Sequence, residues 1–177
     1  MKTIPINELV SLTAFETNDK SNLLLYMNDE LIYQNTLRVP IPYTSTDAID
    51  WLNKCEVELQ TFNQPINWAI RHETAGLIGG IGRFCSTGFD GHRDEIGYWL
   101  AQPFRGAGLM SSIVAKYCTF LLNAFPDLMR LEAHVFPHNP ASARVLEKCG
   151  FVQEAYLRSY HKKNGQLLDS VQFALFR

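Results

Sequence analysis

Hydrophobic and polar positions alternate along the chain in short, regular blocks. Residues 3–10 read as an opening strand, and two helical patterns follow. In the first, Leu23, Leu24 and Met27 share a face behind Thr17 or Asn18 as the cap. In the second, Ile49, Trp51, Leu52, Cys55 and Leu59 recur at three- and four-residue spacing behind Thr46. The segment RVPIPYTST between them is broken by prolines, which fix φ and remove a donor. INWAIRHETAGLIGGIGRF then predicts two strands joined at Thr74–Gly76, with a polar turn region over 85–94 and a short strand EIGYWL over 95–100. Past a turn at Pro103–Gly108, the set Leu109, Ile113, Val114, Tyr117, Phe120 and Leu121 marks an amphipathic helix that stops before Pro126.

LMRLEAHVF alternates as a strand. Asn139-Pro140 opens a helix as N-cap and first position, and Gly150 closes it. The remainder folds back on itself around Lys163–Gly165, where Asn-Gly favours a tight turn. This order of elements predicts a mixed α/β fold of the α+β type and excludes an all-parallel, doubly wound sheet. No repeat, low-complexity tract or linker interrupts it, so residues 1–177 read as a single domain.

Composition narrows the function classes. With 46% hydrophobic residues the chain can fill a core, and its 16 Lys+Arg against 18 Asp+Glu leave a net charge of only −2. That balance argues against a broad basic field for nucleic acid and against a polybasic membrane anchor. The balance is uneven along the chain: residues 1–60 carry 4 basic and 9 acidic side chains, a net −5, and the rest carry 12 and 9, a net +3. No apolar run is long enough to span a bilayer, and the N-terminus has no signal-peptide pattern, so the expected location is cytoplasmic. Cys55, Cys85, Cys118 and Cys149 are widely spaced and read as free, buried thiols; the histidines show no ligand spacing, and no metal is expected.

Candidate chemistry concentrates where the strand EIGYWL leads through Arg105-Gly106-Ala107-Gly108 into a helix. Glycines permit positive φ, so consecutive N–H groups can converge on one centre, and the helix N-terminus adds partial positive charge; a phosphate fits there. A plain glycine turn into a packed helix is the competing reading. The glycines of 76–82 lack the strand–turn–helix context of a dinucleotide site and are assigned to a turn and to strand irregularity.

Read together, E-I-G-Y-W-L at 95–100, R-G-x-G at 105–108 and N-x-x-S-x-R-V-L-E-K-x-G-F at 139–151 resemble the GNAT acetyltransferase superfamily, and within it the RimJ/RimL-like branch of ribosomal-protein N-terminal acetyltransferases. The resemblance implies a central, mostly antiparallel sheet with splayed middle strands, here 95–100 and 129–135, flanked by helices, with acetyl-CoA as co-substrate between them. It implies that backbone groups of Trp99, Leu100 and Ala101 hold the pantetheine arm. The N–H groups of Arg105, Gly106, Ala107, Gly108, Leu109 and Met110 would cradle the pyrophosphate, with the Arg105 side chain as a further partner. Asn139 would bond the pantetheine arm, and Ser142 would sit near the thiol. Two positions depart from the family pattern: Pro103 stands where Gln or Arg opens the glycine motif, and Leu146 where many relatives carry a Tyr general acid. Protonation of the leaving thiolate then falls to Ser142 or to water.

An amine must lose a proton before it attacks a thioester. Glu95, which begins the strand feeding the phosphate turn, is the candidate base; the alternative is an ordinary solvated carboxylate at a strand end. Glu132 and His134 share one face of their strand and either line the site or form a hydrogen-bonded pair. Tyr43 and Trp51 read as core aromatics or as a border of the acceptor pocket. The expected activity is direct transfer of acetyl from acetyl-CoA to a primary amine, either a protein N-terminus or a small amine such as a polyamine, amino acid or aminoglycoside. An acyl-CoA-binding sensor without turnover is the reading from another class. No nucleic-acid or membrane partner is expected, and a homodimer is expected from family habit alone. The resemblance also implies that the segment of roughly 16–60 shapes the acceptor site, where the acidic residues Asp29, Glu30, Asp47 and Asp50 would favour a cationic amine, or else are solvated helix faces.

Overall fold

The structure is a computed structural model describing residues 3–86 and 90–177; the part of the predicted polar turn at 87–89 lies outside the described residues. In chain order the elements are β1 (Ile4–Pro5), β2 (Val10–Ala14), α1 (Lys20–Tyr26), α2 (Glu30–Asn35), α3 (Ser45–Phe62), β3 (Asn67–His72), β4 (Gly76–Arg83), β5 (Arg93–Leu100), α4 (Leu109–Ala124), β6 (Arg130–Val135), α5 (Pro140–Lys148), β7 (Val152–Lys163) and β8 (Gln166–Phe176). The strands form one mixed, mostly antiparallel sheet in the order β1-β2-β3-β4-β5-β6-β8-β7, in which β5 and β6 run parallel.

By its internal contacts the chain divides into two units, Met1–Gly82 with Tyr98–Ala107, and Arg83–Gly97 with Gly108–Arg177. In the first unit the predicted opening strand is instead two: Asn7 accepts from the Leu9 and Val10 N–H groups, which turns β1 back onto β2. The helix α2 was absent from the sequence expectation. Asp29 caps it by accepting from the N–H groups of Leu31 and Ile32. The helix α3 starts behind Thr44 rather than Thr46, because Thr44 and Asp47 form a reciprocal capping box. Leu23, Met27, Ile32, Tyr43, Ala48, Ala69 and Leu77 form the core of this unit, with Trp51, Leu52 and Trp99 packed against it. Tyr43 and Trp51 are thus core aromatics. Beneath the helices, Asp19 is buried and held by the Arg71 guanidinium at 2.8 and 2.9 Å.

In the second unit α4 buries Ile113, Val114, Tyr117 and Leu121 of the face its periodicity predicts, together with Met110 and Cys118, while the predicted Leu109 and Phe120 are half-buried. The strand β6 buries Leu131, Ala133 and Val135, and β8 runs antiparallel to it with Leu131 opposite Leu175 and Val135 opposite Val171. The hairpin β7–β8 turns at Asn164-Gly165, both at positive φ. Cys55 and Cys118 are buried, and burial pushes each thiol up to about 12; Cys85 and Cys149 are half-buried, and none is in a disulfide.

Candidate active site

The predicted site residues fall in both units. In the first, β5 ends at Leu100, and Ala101 opens a single 3-10 turn over Gln102–Phe104, where the ring of Pro103 fits the helical φ. The Ala101 N–H donates to Ile78 O at 2.8 Å. Close approach of Trp99 explains two glycines of β4. A Cβ on Gly79 would lie 2.6 Å from the Trp99 carbonyl oxygen, and one on Gly80 would lie 2.6 Å from the Trp99 indole nitrogen. A register shift between Ile70 and Arg71 sits opposite the same stretch, so the glycines do mark strand irregularity. The Arg105 side chain does not reach into open space. Its Nε donates to Leu100 O at 2.7 Å, and its NH2 group donates to Asp29 Oδ2 at 2.7 Å.

The turn itself supplies unbonded amides. Gly106 has φ +88° and Gly108 φ +78°, and a Cβ on either would meet nothing within 4 Å. Among the described residues, no backbone carbonyl accepts from the N–H groups of Gly106, Ala107, Gly108, Leu109 or Met110; the first bonded donor of α4 is Ser111, to Gly108 O at 3.1 Å. Consecutive unpaired amides at a helix start are an arrangement that suits an anion.

In the second unit β5 and β6 pair only from Arg93↔Arg130 to Glu95↔Glu132, although both strands continue. The strands part where Glu95 stands. Glu95 is half-buried, and its backbone is fixed from both sides: its carbonyl accepts from Phe84 N at 3.0 Å and its N–H donates to Asp94 Oδ1 at 2.9 Å. Behind it, Asp94 is buried at 2% exposure and takes the Arg83 guanidinium at 2.8 Å. Glu132 is not paired with His134. It is held by Arg130 and by Arg93, and Arg130 also grips Glu154. His134 instead lies 3.2 Å from Ser170 Oγ.

The helix α5 brings Asn139 and Ser142 together. Asn139 Oδ1 accepts from the Ser142 N–H at 3.2 Å, so the side-chain amide NH2 points elsewhere and meets no acceptor among the described residues. Ser142 is half-buried in the first turn. Leu146 is wholly buried at 0% exposure, a core side chain rather than a proton donor.

Of the acidic residues in the first 60 positions, Asp29 and Asp47 cap helices and Asp19 is buried against Arg71. Their charge serves local structure first. Sequence reasoning missed Asp29 as the anchor of Arg105, although Asn28-Asp29 ahead of Glu30 is an N-cap signal. Among the described residues no group of three or more His, Cys, Asp or Glu is placed to hold a metal, and no helix is long and apolar enough to cross a membrane.

Residues 10–152 match the acetyltransferase (GNAT) domain family. The chain belongs to the GNAT acetyltransferases. An uncharacterized N-acetyltransferase of Bacillus licheniformis, p20, is 31% identical over 96% of this chain and 94% of its own. Among solved structures, the ribosomal-protein-S5-alanine acetyltransferase of Vibrio fischeri superposes with a TM-score of 0.84 at 22% identity, covering 99% of this chain and 97% of that one. RimL, a ribosomal L7/L12 α-N-protein acetyltransferase solved with coenzyme A, superposes at 0.83 with 20% identity over 99% and 98%. As a GNAT N-acetyltransferase, this chain is an enzyme that uses acetyl-CoA as acetyl donor and an amine as acceptor. The residues present suit that co-substrate: open amides at a helix start for phosphates, a strand pair that stops pairing, and a side-chain amide left over by a helix cap.

Proposed function

We propose that this GNAT enzyme, as a single domain, acetylates the α-amino group of a protein N-terminus by direct attack in a ternary complex. The reading is supported by the likeness to proteins named as ribosomal-protein acetyltransferases. The observation that carries the chemistry is the end of β5–β6 pairing at Glu95↔Glu132. There the strand that holds a half-buried carboxylate leaves its neighbour, so backbone groups that would pair in a sheet turn to a ligand.

In this mechanism the amides of residues 106–110 bind the pyrophosphate, without the Arg105 N–H of the sequence expectation, which already donates to Gln102 O at 3.2 Å, and Trp99, Leu100 and Asn139 orient the pantetheine arm. The Arg105 side chain holds the turn through Asp29 rather than the phosphates. Acetyl-CoA supplies an acyl carbon activated by its thioester. Glu95 draws a proton from the approaching ammonium, directly or through water; the amine lone pair then forms the C–N bond as the C–S bond breaks. With Leu146 in the core, Ser142 carries the proton to the thiolate.

The test incubates the protein and acetyl-CoA with peptides of different N-terminal residues and, separately, with a polyamine, an amino acid and an aminoglycoside. Free CoA and the mass of each acceptor are followed. Acetylated peptide N-termini with untouched small amines support the proposal; the reverse pattern overturns it.

A further inference from the structure

We propose that His134 is a second proton-handling residue of the transfer, taking on through Nε2 the proton that Glu95 draws from the acceptor ammonium, while Ser170 fixes its ring. The inference rests on the acetyl-transfer reading above. On β6, His134 follows Glu132 by two residues and shares its face, while Glu132 is the last residue of β6 that pairs with β5. His134 therefore projects from the first stretch of β6 that β5 has left, next along the strand from the level of Glu95.

The ring is held on several sides. Nδ1 lies 3.2 Å from Oγ of the buried Ser170. Tyr160 stacks on the ring with centroids 5.1 Å apart at 10°, and His161 meets it edge-on at 5.9 Å. In the tautomer that donates Nδ1–H to Ser170 Oγ, which the proposal requires, the lone pair is on Nε2, and Nε2 has no other hydrogen bond among the described residues. A half-buried imidazole fixed on one nitrogen and open on the other has the form a general base needs.

The charged and titratable neighbours support a neutral ring near pH 7. On β7 these are Tyr160 and His161; on β8, the Ser170 hydroxyl; on β6, Glu132; and across the register on β5, Glu95. Burial first, and then His161, hold the His134 pKa below its ordinary 6.5, while Glu132 pulls the other way. That pull is blunted because Glu132 is already occupied by Arg93 and Arg130.

The proton balance is simple. The one proton that Glu95 draws from R–NH3+ is taken on by neutral His134, which becomes imidazolium. The amine attacks the acyl carbon, the C–S bond breaks, and the nitrogen's surplus proton goes to the departing thiolate. The imidazolium returns its proton to water. Net, one ammonium and one thioester give one amide, one thiol and one proton.

The experiment compares the wild type with His134→Gln and Ser170→Ala, measuring acetyl-CoA affinity by calorimetry and kcat against pH with an accepted amine. The expected result is a kcat lower by roughly a hundredfold in His134→Gln, with acetyl-CoA affinity unchanged and the acidic limb of the pH profile below 6.5 removed. In Ser170→Ala that limb is kept but displaced and kcat falls less. If acetyl-CoA binding is lost in His134→Gln, the Ser170→Ala profile decides: an undisplaced limb overturns the proposal. A His134→Gln enzyme with wild-type kcat and an intact acidic limb overturns it too, and leaves the acetyl-transfer reading standing. A wild type that binds acetyl-CoA but acetylates no amine removes that reading and this inference together.

Discussion

Arg105 donates to Asp29 Oδ2 at 2.7 Å while Asp29 Oδ1 caps α2 through the Leu31 N–H at 2.7 Å. One carboxylate therefore joins the glycine turn to the start of a short helix 76 residues earlier in the chain. Arg105→Ala frees the turn and is expected to weaken acetyl-CoA binding about fivefold, about 1 kcal/mol. Asp29→Ala removes the ion pair and the cap together and should also lower stability by about 1–2 kcal/mol. Calorimetric titration and urea unfolding of both variants separate the two effects.

Two glycines with different duties should respond differently to alanine. Gly108→Ala meets open space and bears only the left-handed backbone, a cost of about 1 kcal/mol, but it stiffens the amide turn and should raise the KM for acetyl-CoA. Gly79→Ala drives a methyl into the Trp99 carbonyl and is expected to cost about 1–3 kcal/mol. Equal loss of stability in the two variants, by thermal unfolding, contradicts this assignment.

Asp94 is buried, takes Arg83 at 2.8 Å and fixes the Glu95 N–H at 2.9 Å. Asp94→Ala leaves the Arg83 charge without its partner and is expected to destabilise the protein by about 3–5 kcal/mol. Because Asp94 also sets the backbone of Glu95, any folded Asp94→Asn protein should lose kcat more than acetyl-CoA affinity.

Stability should fall in two steps on acidification. His134 and His161 both have folded pKa values below the ordinary 6.5, so the unfolded chain binds protons first. Their contribution is complete above 6.5 and is lost as pH drops through the folded values. Asp47, Glu154 and Asp169 are held below their ordinary values by hydrogen bonds, so their contribution is complete above about 4.5 and is lost below it. Urea midpoints across pH 7.5 to 3.5 check this, and His134→Gln should flatten the first step alone.

Long periodic segments were legible in the chain: α4, α5 and the closing hairpin follow from apolar spacing, Asn139-Pro140 and Asn164-Gly165. So was the glycine turn, because positive φ and unpaired amides are local properties. The helix α2 was not, since six residues carry too little periodicity and only its Asp29 cap announces it. The partner of Arg105 was equally hidden. A guanidinium beside a phosphate turn reads as a phosphate ligand until a distant carboxylate is seen to hold it. The fate of Glu132 turned on the same kind of fact, for Arg93 reaches it from β5 while Arg130 holds it from two residues back on β6.

Each unit is assembled from two separate stretches of chain, the first from Met1–Gly82 and Tyr98–Ala107. A growing polypeptide cannot finish that unit until Ala107 has emerged, after the opening stretch of the other unit, Arg83–Gly97, has already been made. No single cut separates the two units, because each carries a stretch of the other between its own two parts. Trp99, whose carbonyl and indole fit the two glycines of β4, belongs to the late-arriving stretch. Until it arrives, β4 carries glycines with nothing to receive, so nascent chains stopped before residue 98 should be far more open to protease than chains that reach 107.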